Sequence, residues 1–471
     1  MKRIDTDICV IGAGSGGLSV AAGAVQMGAR IVLIEAGEMG GDCLNTGCVP
    51  SKALIAAAKA AEAQRRGFRG VSPVDPQVDF GAVKDHVAAV IARIAPVDSQ
   101  QRFEDLGCTV IRAFARFTGP REVQAGDTTI RARRFVIATG SRPLVPQIQG
   151  IDSVPYLTNE TIFGLRERPR HLIIIGGGPI GIELAQAHRR LGCAVTVVEG
   201  AQVLGREDPE LAAMVIEALR AEGTALFEGQ PVVRLAGEAG AVEVTLGDGR
   251  QIAGTHLLIA VGRKVALEGM NLDSAGVAHT PKGVTVDARL RSSNRRVYAV
   301  GDAAGGPQFT HVAGWHAGIV VRQAVLGLPA KADPRALPRV TYTDPELAQV
   351  GLTEAEARAA HGAALTVVRA DFSHNDRAQA EGKTSGLAKV MVVRGRPVGA
   401  SIVGPQAGEL IGLWALAISA RLKMSAIAGM VAPYPTLGEV SKRTASAYFS
   451  PKLFENPTLK HLVRFVQRWV P

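Results

Sequence analysis

Short apolar runs alternate with longer segments of helical periodicity along most of the chain. Runs such as DICVIG and HLIIIG end in glycine, which favours buried strands followed by tight turns. This alternation predicts an α/β fold with parallel strands. From Arg339 onward the pattern changes to shorter strands and helices, such as LAKVMVV and RPVGASIVG, and predicts a separate α+β domain.

Two segments, 7–37 and 171–200, share one pattern of strand, glycine turn G-x-G-x-x-G, helix and second strand ending in glutamate. Such glycines let the backbone approach a pyrophosphate at a helix N-terminus, and the acid hydrogen-bonds an adenosine ribose. A second pair of similar segments, called here the echo segments, follows the two copies: FVIATGSRP at 135–143 and LLIAVGRKV at 257–265. The duplication predicts two Rossmann-like dinucleotide-binding domains, with Gly12, Gly14, Gly17, Glu35 and Gly140 in the first site and Gly176, Gly178, Gly181, Glu199 and Gly262 in the second.

Two cysteines, Cys43 and Cys48, lie five positions apart just after the first dinucleotide segment. Pro50 suits the first turn of a helix that the run 53–63 continues. The positive end of this helix and the charge of Lys52 both favour thiolate over thiol. The pattern therefore predicts a redox-active dithiol or disulfide, and two structural cysteines are the alternative.

Composition fits an intracellular enzyme. With 471 residues, 47% of them hydrophobic, the chain can bury several cores and is expected to hold about three domains. No apolar run approaches the ~18 residues of a membrane span, and no cleavable leader is recognised, so we expect a cytoplasmic protein. The other three cysteines, Cys9, Cys108 and Cys193, lie in or beside apolar strands and are interpreted as small buried hydrophobes.

The net charge of +10 could indicate affinity for anions, nucleic acid or membrane. The arginines are scattered and no nucleic-acid motif is present, so a basic surface on an enzyme that binds two phosphorylated cofactors is the preferred interpretation. No nucleic-acid partner and no resident metal ion are expected.

The motif GGDCLNTGCVPSK at 40–52, together with the duplication, resembles class I pyridine nucleotide–disulfide oxidoreductases, most closely the mercuric reductase and dihydrolipoamide dehydrogenase branch. The resemblance extends over nearly the whole chain. It implies FAD in the first site, a nicotinamide nucleotide in the second, and a homodimer. VYAVGD at 297–302 resembles the family's second FAD motif, so Asp302 would bind the flavin ribitol. Ala115 and Thr310 fall where the family contacts FAD through its backbone.

These motifs also predict the domain limits. The FAD-binding domain is expected at 1–144, with a helical excursion at 80–106, and its second part at 271–338. The NAD(P)-binding domain is expected at 145–270. The resemblance implies that 339–471 is the C-terminal interface domain of the dimer.

The resemblance also implies the roles of the site residues. Electrons would pass from the nicotinamide through flavin N5 to the disulfide at Cys48, which ends as a thiolate, and Cys43 would exchange with the acceptor. Lys52 would lie by the flavin and pair with Glu183. Glu199 would accept a ribose 2′-OH and repel a 2′-phosphate, which favours NADH over NADPH, although Arg206 could still reach a phosphate.

One segment departs from the disulfide reductases, in which a histidine paired with a glutamate five residues on acts as acid and base. Here the segment 433–439 reads PYPTLGE, so Tyr434 replaces the histidine while Glu439 remains. A phenol with a pKa near 10 is a poor base at neutral pH, which weakens the case for lipoamide or glutathione as acceptor. Other candidate bases are His311, His316 and His374.

Mercuric reductase is similar in having tyrosine at this position, where the phenol helps to hold a metal ion against the thiols. Its C-terminal cysteine pair is absent from the ending VRFVQRWVP, and its N-terminal metal-binding module is not recognised either. The sequence therefore predicts an NADH-dependent flavoprotein whose acceptor is a disulfide or a metal ion.

The segment 457–470 has apolar residues at helical spacing with basic residues between them. Such a stripe more often packs on its own protein, but it can lie on an anionic membrane. It supports an alternative function, a membrane-peripheral NADH:quinone reductase with a regulatory dithiol. A third hypothesis, a non-enzymatic FAD redox sensor, is disfavoured because a sensor needs no second nucleotide site.

Overall fold

The computed structural model describes residues 2–470, which form two compact units. The first unit comprises the chain up to residue 200 together with 225–333, and the second comprises 201–224 and the chain from 334 onward. No helix within residues 2–470 is long and apolar enough to cross a membrane.

Both units contain β-strands. Those of the first unit are β1 (Lys2–Ile11), β2 (Ile31–Glu35), β3 (Thr109–Arg112), β4 (Ala115–Gly119), β5 (Glu122–Ala125), β6 (Thr128–Ile137), β7 (Ser141–Pro143), β8 (His171–Ile175), β9 (Ala194–Val198), β10 (Ala225–Phe227), β11 (Val232–Glu238), β12 (Ala241–Leu246), β13 (Gln251–Gly254), β14 (His256–Ile259), β15 (Arg263–Val265), β16 (His279–Thr280), β17 (Gly283–Val284) and β18 (Val297–Ala299). Those of the second unit are β19 (Pro338–Thr341), β20 (Glu346–Gly351), β21 (Leu365–Asp371), β22 (Leu387–Val393) and β23 (Arg396–Gly404).

Helices connect these strands. In chain order they are α1 (Ser15–Val25), α2 (Gly41–Asn45), α3 (Cys48–Arg66), α4 (Phe80–Ile94), α5 (Gln100–Asp105), α6 (Pro179–Arg190), α7 (Pro209–Ala221), α8 (Thr310–Ala324), α9 (Glu354–His361), α10 (Asp376–Glu381), α11 (Ala407–Ser419), α12 (Met424–Ala428), α13 (Glu439–Ala447), α14 (Ser450–Phe454) and α15 (Pro457–Trp469). Helix α7 belongs to the second unit and all helices before it to the first.

The first unit contains the same parallel sheet twice. One sheet has the order β3-β2-β1-β6, with β18 added beside β6, and the other has the equivalent order β10-β9-β8-β14. Strands buried on both faces have continuous apolar sequences, and β8, with the sequence HLIII, has four buried residues. The echo segments also meet, because β7 pairs with β15 in antiparallel register. The predicted α/β class and the duplication are confirmed.

The second unit is built on a five-stranded antiparallel sheet of order β19-β20-β23-β22-β21. Helix α11 packs on β20 and β23, and its Trp414 is fully buried with its indole N–H donating to Ser441 Oγ at 3.2 Å. Helix α7 packs on the same two strands. The unit is the predicted α+β domain, with α7 as a part that the sequence did not assign to it.

Several local expectations can be compared with the structure. The helical excursion is present as α4 and α5. The cysteine helix α3 begins at Cys48, so Pro50 lies in its first turn and the run 53–63 continues it, as predicted. The preferred interpretation of the segment 457–470 is wrong within this chain: it forms α15, but none of the residues of that helix is buried.

Candidate active site

The glycine triplets of the two copies have the same conformation. Gly12 has φ +102° and Gly176 has φ +116°, a region that disfavours any side chain. A Cβ at Gly12 would collide with the carbonyl of Ala138, and one at Gly176 with that of Ala260. A Cβ at either third glycine, Gly17 or Gly181, would overlap the carbonyl of the first. Only glycine therefore permits these turns.

The glutamates at the ends of β2 and β9 also have equivalent contacts. Glu35 Oε2 accepts from the N–H of Ala13 at 2.5 Å, and Glu199 Oε2 accepts from the N–H of Gly177 at 2.7 Å. Each acid thus contacts the residue that follows the first glycine of its own copy. The carboxylates are thereby held at the mouths of the two glycine turns.

Both turns fit a dinucleotide. The middle glycines, Gly14 and Gly178, are the N-caps of α1 and α6, so the unpaired N–H groups of these helices are available to a pyrophosphate. A Cβ at Gly178 would meet no heavy atom within 4 Å, which leaves space for close approach. Gly140 and Gly262 have φ +66° and +131° and likewise open surroundings.

The cysteine pair lies at the start of α3. Cys48 is its first residue and Cys43 lies in the short helix α2, and the two side chains are hydrogen-bonded to each other. The hydrogen bond from Cys43, with help from the Thr310 hydroxyl and the charge of Lys52, lowers the pKa of Cys48 to about 6. The same contact with Cys48, with burial, raises the pKa of Cys43 well above its usual range. These opposite shifts favour the thiolate form at Cys48 and the thiol form at Cys43.

Thr310 contributes a side chain to this site. It is the first residue of α8, and its Oγ1 lies 3.4 Å from Cys48 Sγ. The sequence had suggested only a backbone contact for this residue. Its hydroxyl also helps to lower the pKa of Cys43, against the stronger effects that raise it.

Lys52 and Glu183 are brought together. Lys52 Nζ lies 2.6 Å from Glu183 Oε2, and the carboxylate side chain is only 8% exposed. Lys52 also lies within 3.5 Å of Ser51 Oγ. The ion pair connects the cysteine helix α3 with α6, the first helix of the second dinucleotide copy.

A polar network that the sequence did not indicate links Asp302 to the cysteine loop. Ser141 Oγ donates to Asp302, and Arg263 Nε donates to Ser141 Oγ at 2.7 Å. The same guanidinium forms an ion pair with Asp42 at 3.2 Å. Asn159 Nδ2 donates to Asp42 at 2.9 Å. Burial raises the pKa of Asp302.

Tyr434 and Glu439 lie in the second unit with contacts of their own. Tyr434 is 70% exposed, and its hydroxyl donates to Asp376 Oδ2 at 2.9 Å. That hydrogen bond raises the pKa of the phenol still further. Glu439 is the first residue of α13 and accepts from the N–H of Thr436 at 3.4 Å.

The candidate replacement bases differ in their surroundings. His316 is buried and its Nδ1 accepts from the N–H of Gly301 at 3.2 Å, so it supports the turn before Asp302. His311 stacks on Phe309. His374 is exposed, and its Nδ1 contacts Ser373 Oγ at 3.1 Å.

The remaining predicted residues are also accounted for. Cys9, Cys108 and Cys193 are buried as predicted, and burial raises the pKa of the last two to about 11. Ala115 begins β4 and is buried. Among residues 2–470, no group of three or more His, Cys, Asp or Glu side chains could hold a metal ion.

Comparison with known families identifies the class of the protein. The family profile "Pyridine nucleotide-disulphide oxidoreductase" matches residues 6–317, and the profile of its dimerisation domain matches residues 337–445. The chain belongs to this family. It is therefore an oxidoreductase of the FAD-dependent, NAD(P)H-using kind, and it carries the family's dimerisation domain.

Individual relatives carry two names. The chain is 36% identical over 458 residues to a mercuric reductase of Streptomyces lividans, covering 94% of this chain and 96% of the relative. It is 36% identical over 462 residues to a dihydrolipoyl dehydrogenase of Thermus scotoductus, covering 94% and 97%. Similarity of sequence therefore does not separate a metal-ion acceptor from a disulfide.

Solved structures are similar over almost the whole fold. The Cu(II) complex of the HOCl-induced flavoprotein disulfide reductase RclA from Escherichia coli aligns with TM-score 0.85 and 28% identity, covering 94% of this chain and 99% of that one. LpdA from Mycobacterium tuberculosis aligns with TM-score 0.85 and 26% identity, covering 95% and 99%.

Proposed function

We propose that the chain is an NADH-dependent flavoprotein that reduces a thiol-bound soft metal ion through Cys43 and Cys48. The observation that carries this proposal is the contact between the two sulfurs beside the Thr310 hydroxyl, which lies 3.4 Å from Cys48 Sγ. This arrangement lowers the pKa of Cys48 and raises that of Cys43. FAD, when bound, supplies the chemistry of accepting hydride from the nicotinamide and passing two electrons to the sulfurs.

The protonation of the pair matches this electron count. A disulfide that takes up two electrons and one proton, the equivalent of one hydride, gives one thiolate and one thiol. This is the state that the hydrogen bond between Cys43 and Cys48 favours. Lys52 and Thr310 stabilise the thiolate, so the pair can remain reduced without a second proton.

A metal ion is the acceptor that these residues suit best. Reduction of a disulfide substrate releases a thiolate that an acid must protonate, and the residue in the position of the family's histidine is a phenol whose pKa is raised by Asp376. A soft metal ion needs only sulfur ligands and two electrons. The balanced reaction with mercury is NADH + Hg²⁺ → NAD⁺ + H⁺ + Hg⁰.

The names of similar proteins support this choice of acceptor. Relatives named mercuric reductase and the structure of RclA as a Cu(II) complex are consistent with metal chemistry at this fold. The similar dihydrolipoyl dehydrogenases make lipoamide the second candidate. The names mercuric reductase and dihydrolipoyl dehydrogenase do not indicate a quinone acceptor.

The cofactor residues follow from the two turns. We propose that FAD is held by Gly12, Gly14, Gly17 and Glu35, with Gly140, Ala115, Asp302 and Thr310. We propose that NADH is held by Gly176, Gly178, Gly181, Glu199 and Gly262, where the carboxylate disfavours a 2′-phosphate. Tyr434 and Glu439 are proposed to act on the acceptor.

The remaining assignments are part of the same proposal. The predicted bounds are 1–144 and 271–338 for the FAD-binding parts, 145–270 for the NAD-binding domain and 339–471 for the interface domain. The one change is that residues 201–224, which include α7, belong to the second compact unit and are assigned to the interface domain. The dimerisation profile supports a homodimer. We propose that this dimer works in the cytoplasm.

The test is NADH consumption by the FAD-loaded protein with thiol-complexed Hg(II), Cu(II), oxidised lipoamide and a soluble quinone offered in parallel assays. Cys43→Ser and Cys48→Ser variants are expected to lose metal-dependent turnover, while Cys108→Ala, which changes a buried cysteine outside the pair, is expected to keep it.

The outcomes separate the candidates. Fast lipoamide turnover without metal turnover would contradict the metal proposal and assign a dihydrolipoamide dehydrogenase activity. If the Cys48→Ser variant still reduces quinones, the reaction would instead be assigned to the flavin and not to the dithiol. Absence of turnover with every acceptor would favour the redox sensor.

A further inference from the structure

Helix α15 is well defined but unpartnered. Asn456 caps it by accepting from the N–H of Leu459, and Pro457 occupies its first turn. None of the residues of α15 is buried. Since an isolated helix of this length is marginal in water, an apolar face on it needs a surface to cover it.

The apolar and the basic residues of α15 lie on opposite faces of the helix. At 100° per residue, its apolar residues fall on one side and its cations on the other. The apolar face is close to half of the circumference, wider than the narrow seam of a coiled coil. It consists of Leu459, Leu462, Val463, Phe465, Val466, Trp469 and the following Val470, and the opposite face carries Lys460, His461, Arg464, Gln467 and Arg468.

The apolar side chains are strongly exposed. Leu462 is 55% exposed, Phe465 59% and Trp469 66%. Phe454, in the preceding helix α14, is 69% exposed and extends the apolar surface. Single exposed apolar residues occur elsewhere on the chain, but here they are contiguous along one helix face, and a contiguous exposed apolar patch marks an interaction site.

The charge of the segment selects the partner. Residues 457–470 contain three lysine or arginine residues and no acid, and the chain as a whole has a net charge of +10. Such a helix is attracted by an anionic surface, whereas a second copy of the same helix would bring further positive charge. The family's dimerisation profile also ends at residue 445, before this helix begins.

We propose that α15 binds the surface of an anionic lipid bilayer, with its apolar face among the acyl chains and its cations at the phosphate groups. At 1.5 Å per residue the helix is about 20 Å long, too short to cross a hydrocarbon core of about 30 Å. It therefore lies in the plane of the interface. Trp469 suits this depth because its ring is apolar and its N–H is polar.

The experiment is flotation of the FAD-loaded protein with phosphatidylcholine vesicles that contain or lack phosphatidylglycerol. Binding is expected only with the anionic lipid and is expected to weaken in high salt. The double variant Arg464→Gln/Arg468→Gln is expected to bind about twenty-five-fold more weakly, since each cation near the surface contributes about fivefold. Arg116→Gln/Arg131→Gln, which removes two exposed arginines elsewhere, is the charge-matched control.

A second pair of variants tests the apolar face. Leu462→Gln/Val466→Gln is expected to lose flotation, while Met27→Gln/Val233→Gln, which changes exposed apolar residues of the first unit, keeps it. Tryptophan fluorescence is expected to shift to the blue on adding anionic vesicles, and this shift disappears in Trp469→Phe. Flavin content per chain, measured without lipid, is expected to be unchanged in all these variants.

Three results would overturn the proposal. They are absence of flotation with anionic vesicles at low salt, equal flotation with neutral vesicles, and loss of the dimer in Leu462→Gln/Val466→Gln as measured by light scattering. The last would assign the face to a second copy of the chain. Because these readouts need no electron acceptor, the proposed reaction can fail without affecting them.

Discussion

Lys52 Nζ lies 2.6 Å from Glu183 Oε2, although the two residues are 131 positions apart in the chain. The pair joins the helix that carries Cys48 to the first helix of the second dinucleotide copy. Lys52 lowers the pKa of Cys48 through its charge, and the nearly buried carboxylate of Glu183 holds the ammonium in place. One ion pair thus fixes the position of the positive charge that acts on Cys48.

Lys52→Met is expected to raise the pKa of Cys48 and to slow metal-dependent turnover by at least about tenfold, the effect of losing ~1.4 kcal/mol of interaction. Lys52→Arg, which keeps the positive charge, is expected to retain most of the rate. Stopped-flow reduction by NADH and steady-state turnover measure the two effects. Equal rates in Lys52→Met and the unchanged protein would contradict the role proposed for this residue.

Thr310→Val is expected to raise the pKa of Cys48 above its value of about 6, because the thiolate loses a hydroxyl donor. The measurement is the pH dependence of long-wavelength absorbance in a Cys43→Ser background. Absorbance from the thiolate appears above the pKa, so the midpoint moves toward alkaline pH in the valine variant. Thr310→Ser keeps the donor and is expected to leave the midpoint near that of the parent.

Glu199→Ala is expected to raise kcat/KM for NADPH relative to NADH by about tenfold, since it removes ~1.4 kcal/mol of unfavourable interaction with a 2′-phosphate. Glu243→Ala, on strand β12, removes the same charge outside the glycine turn and serves as the control. An unchanged ratio in Glu199→Ala would mean that another residue selects the nucleotide.

Gly17→Ala is expected to abolish flavin binding, because the added methyl overlaps the carbonyl of Gly12 in the turn that we propose receives the pyrophosphate. Flavin absorbance per chain after gel filtration measures the loss. Gly164→Ala adds the same methyl where no heavy atom lies within 4 Å, and full flavin content is expected there. Normal flavin content in Gly17→Ala would show that this turn does not hold FAD.

Lys389→Met is expected to lower the free energy of unfolding by about 3–5 kcal/mol, because it leaves a buried carboxylate without its charge partner. Lys389 Nζ lies 2.9 Å from both carboxylate oxygens of Asp208, and the two side chains are 2% and 1% exposed. Arg369→Met, which breaks the more exposed pairs with Glu210 and Glu354, is expected to change stability by no more than about 1 kcal/mol. Urea denaturation of both variants measures the difference.

Repetition made much of the fold predictable. The glycine triplets and their glutamates recur at one spacing, so the sequence alone could assign Gly12 and Gly176, or Glu35 and Glu199, to equivalent places. The cysteine loop was recognisable because Cys43, Cys48 and Lys52 lie within one short segment. These features depend on local backbone chemistry, which a sequence displays directly.

The contacts that the sequence missed are long-range. Cys48 and Thr310 are separated by 262 positions, and no periodic pattern joins a hydroxyl at one helix start to a sulfur at another. The connection from Asp302 through Ser141 and Arg263 to Asp42 has the same character. The packing of α15 was wrongly expected because an apolar stripe shows that a helix needs a partner without showing where that partner is.

Helix α7 makes the folding of the second unit, called here the interface unit, depend on segments that are far apart in the chain. Its apolar residues, Leu211, Ala212, Val215 and Leu219, are buried, yet β20 and β23, on which it packs, are translated more than a hundred residues later. During synthesis the N-terminal part of a chain generally folds first. The apolar face of α7 therefore stays exposed until the last third of the protein has been synthesised. A C-terminal fragment that begins at residue 334 lacks the helix altogether. The interface unit is therefore not a transferable module, and grafting or truncation at its apparent boundary would remove part of its core.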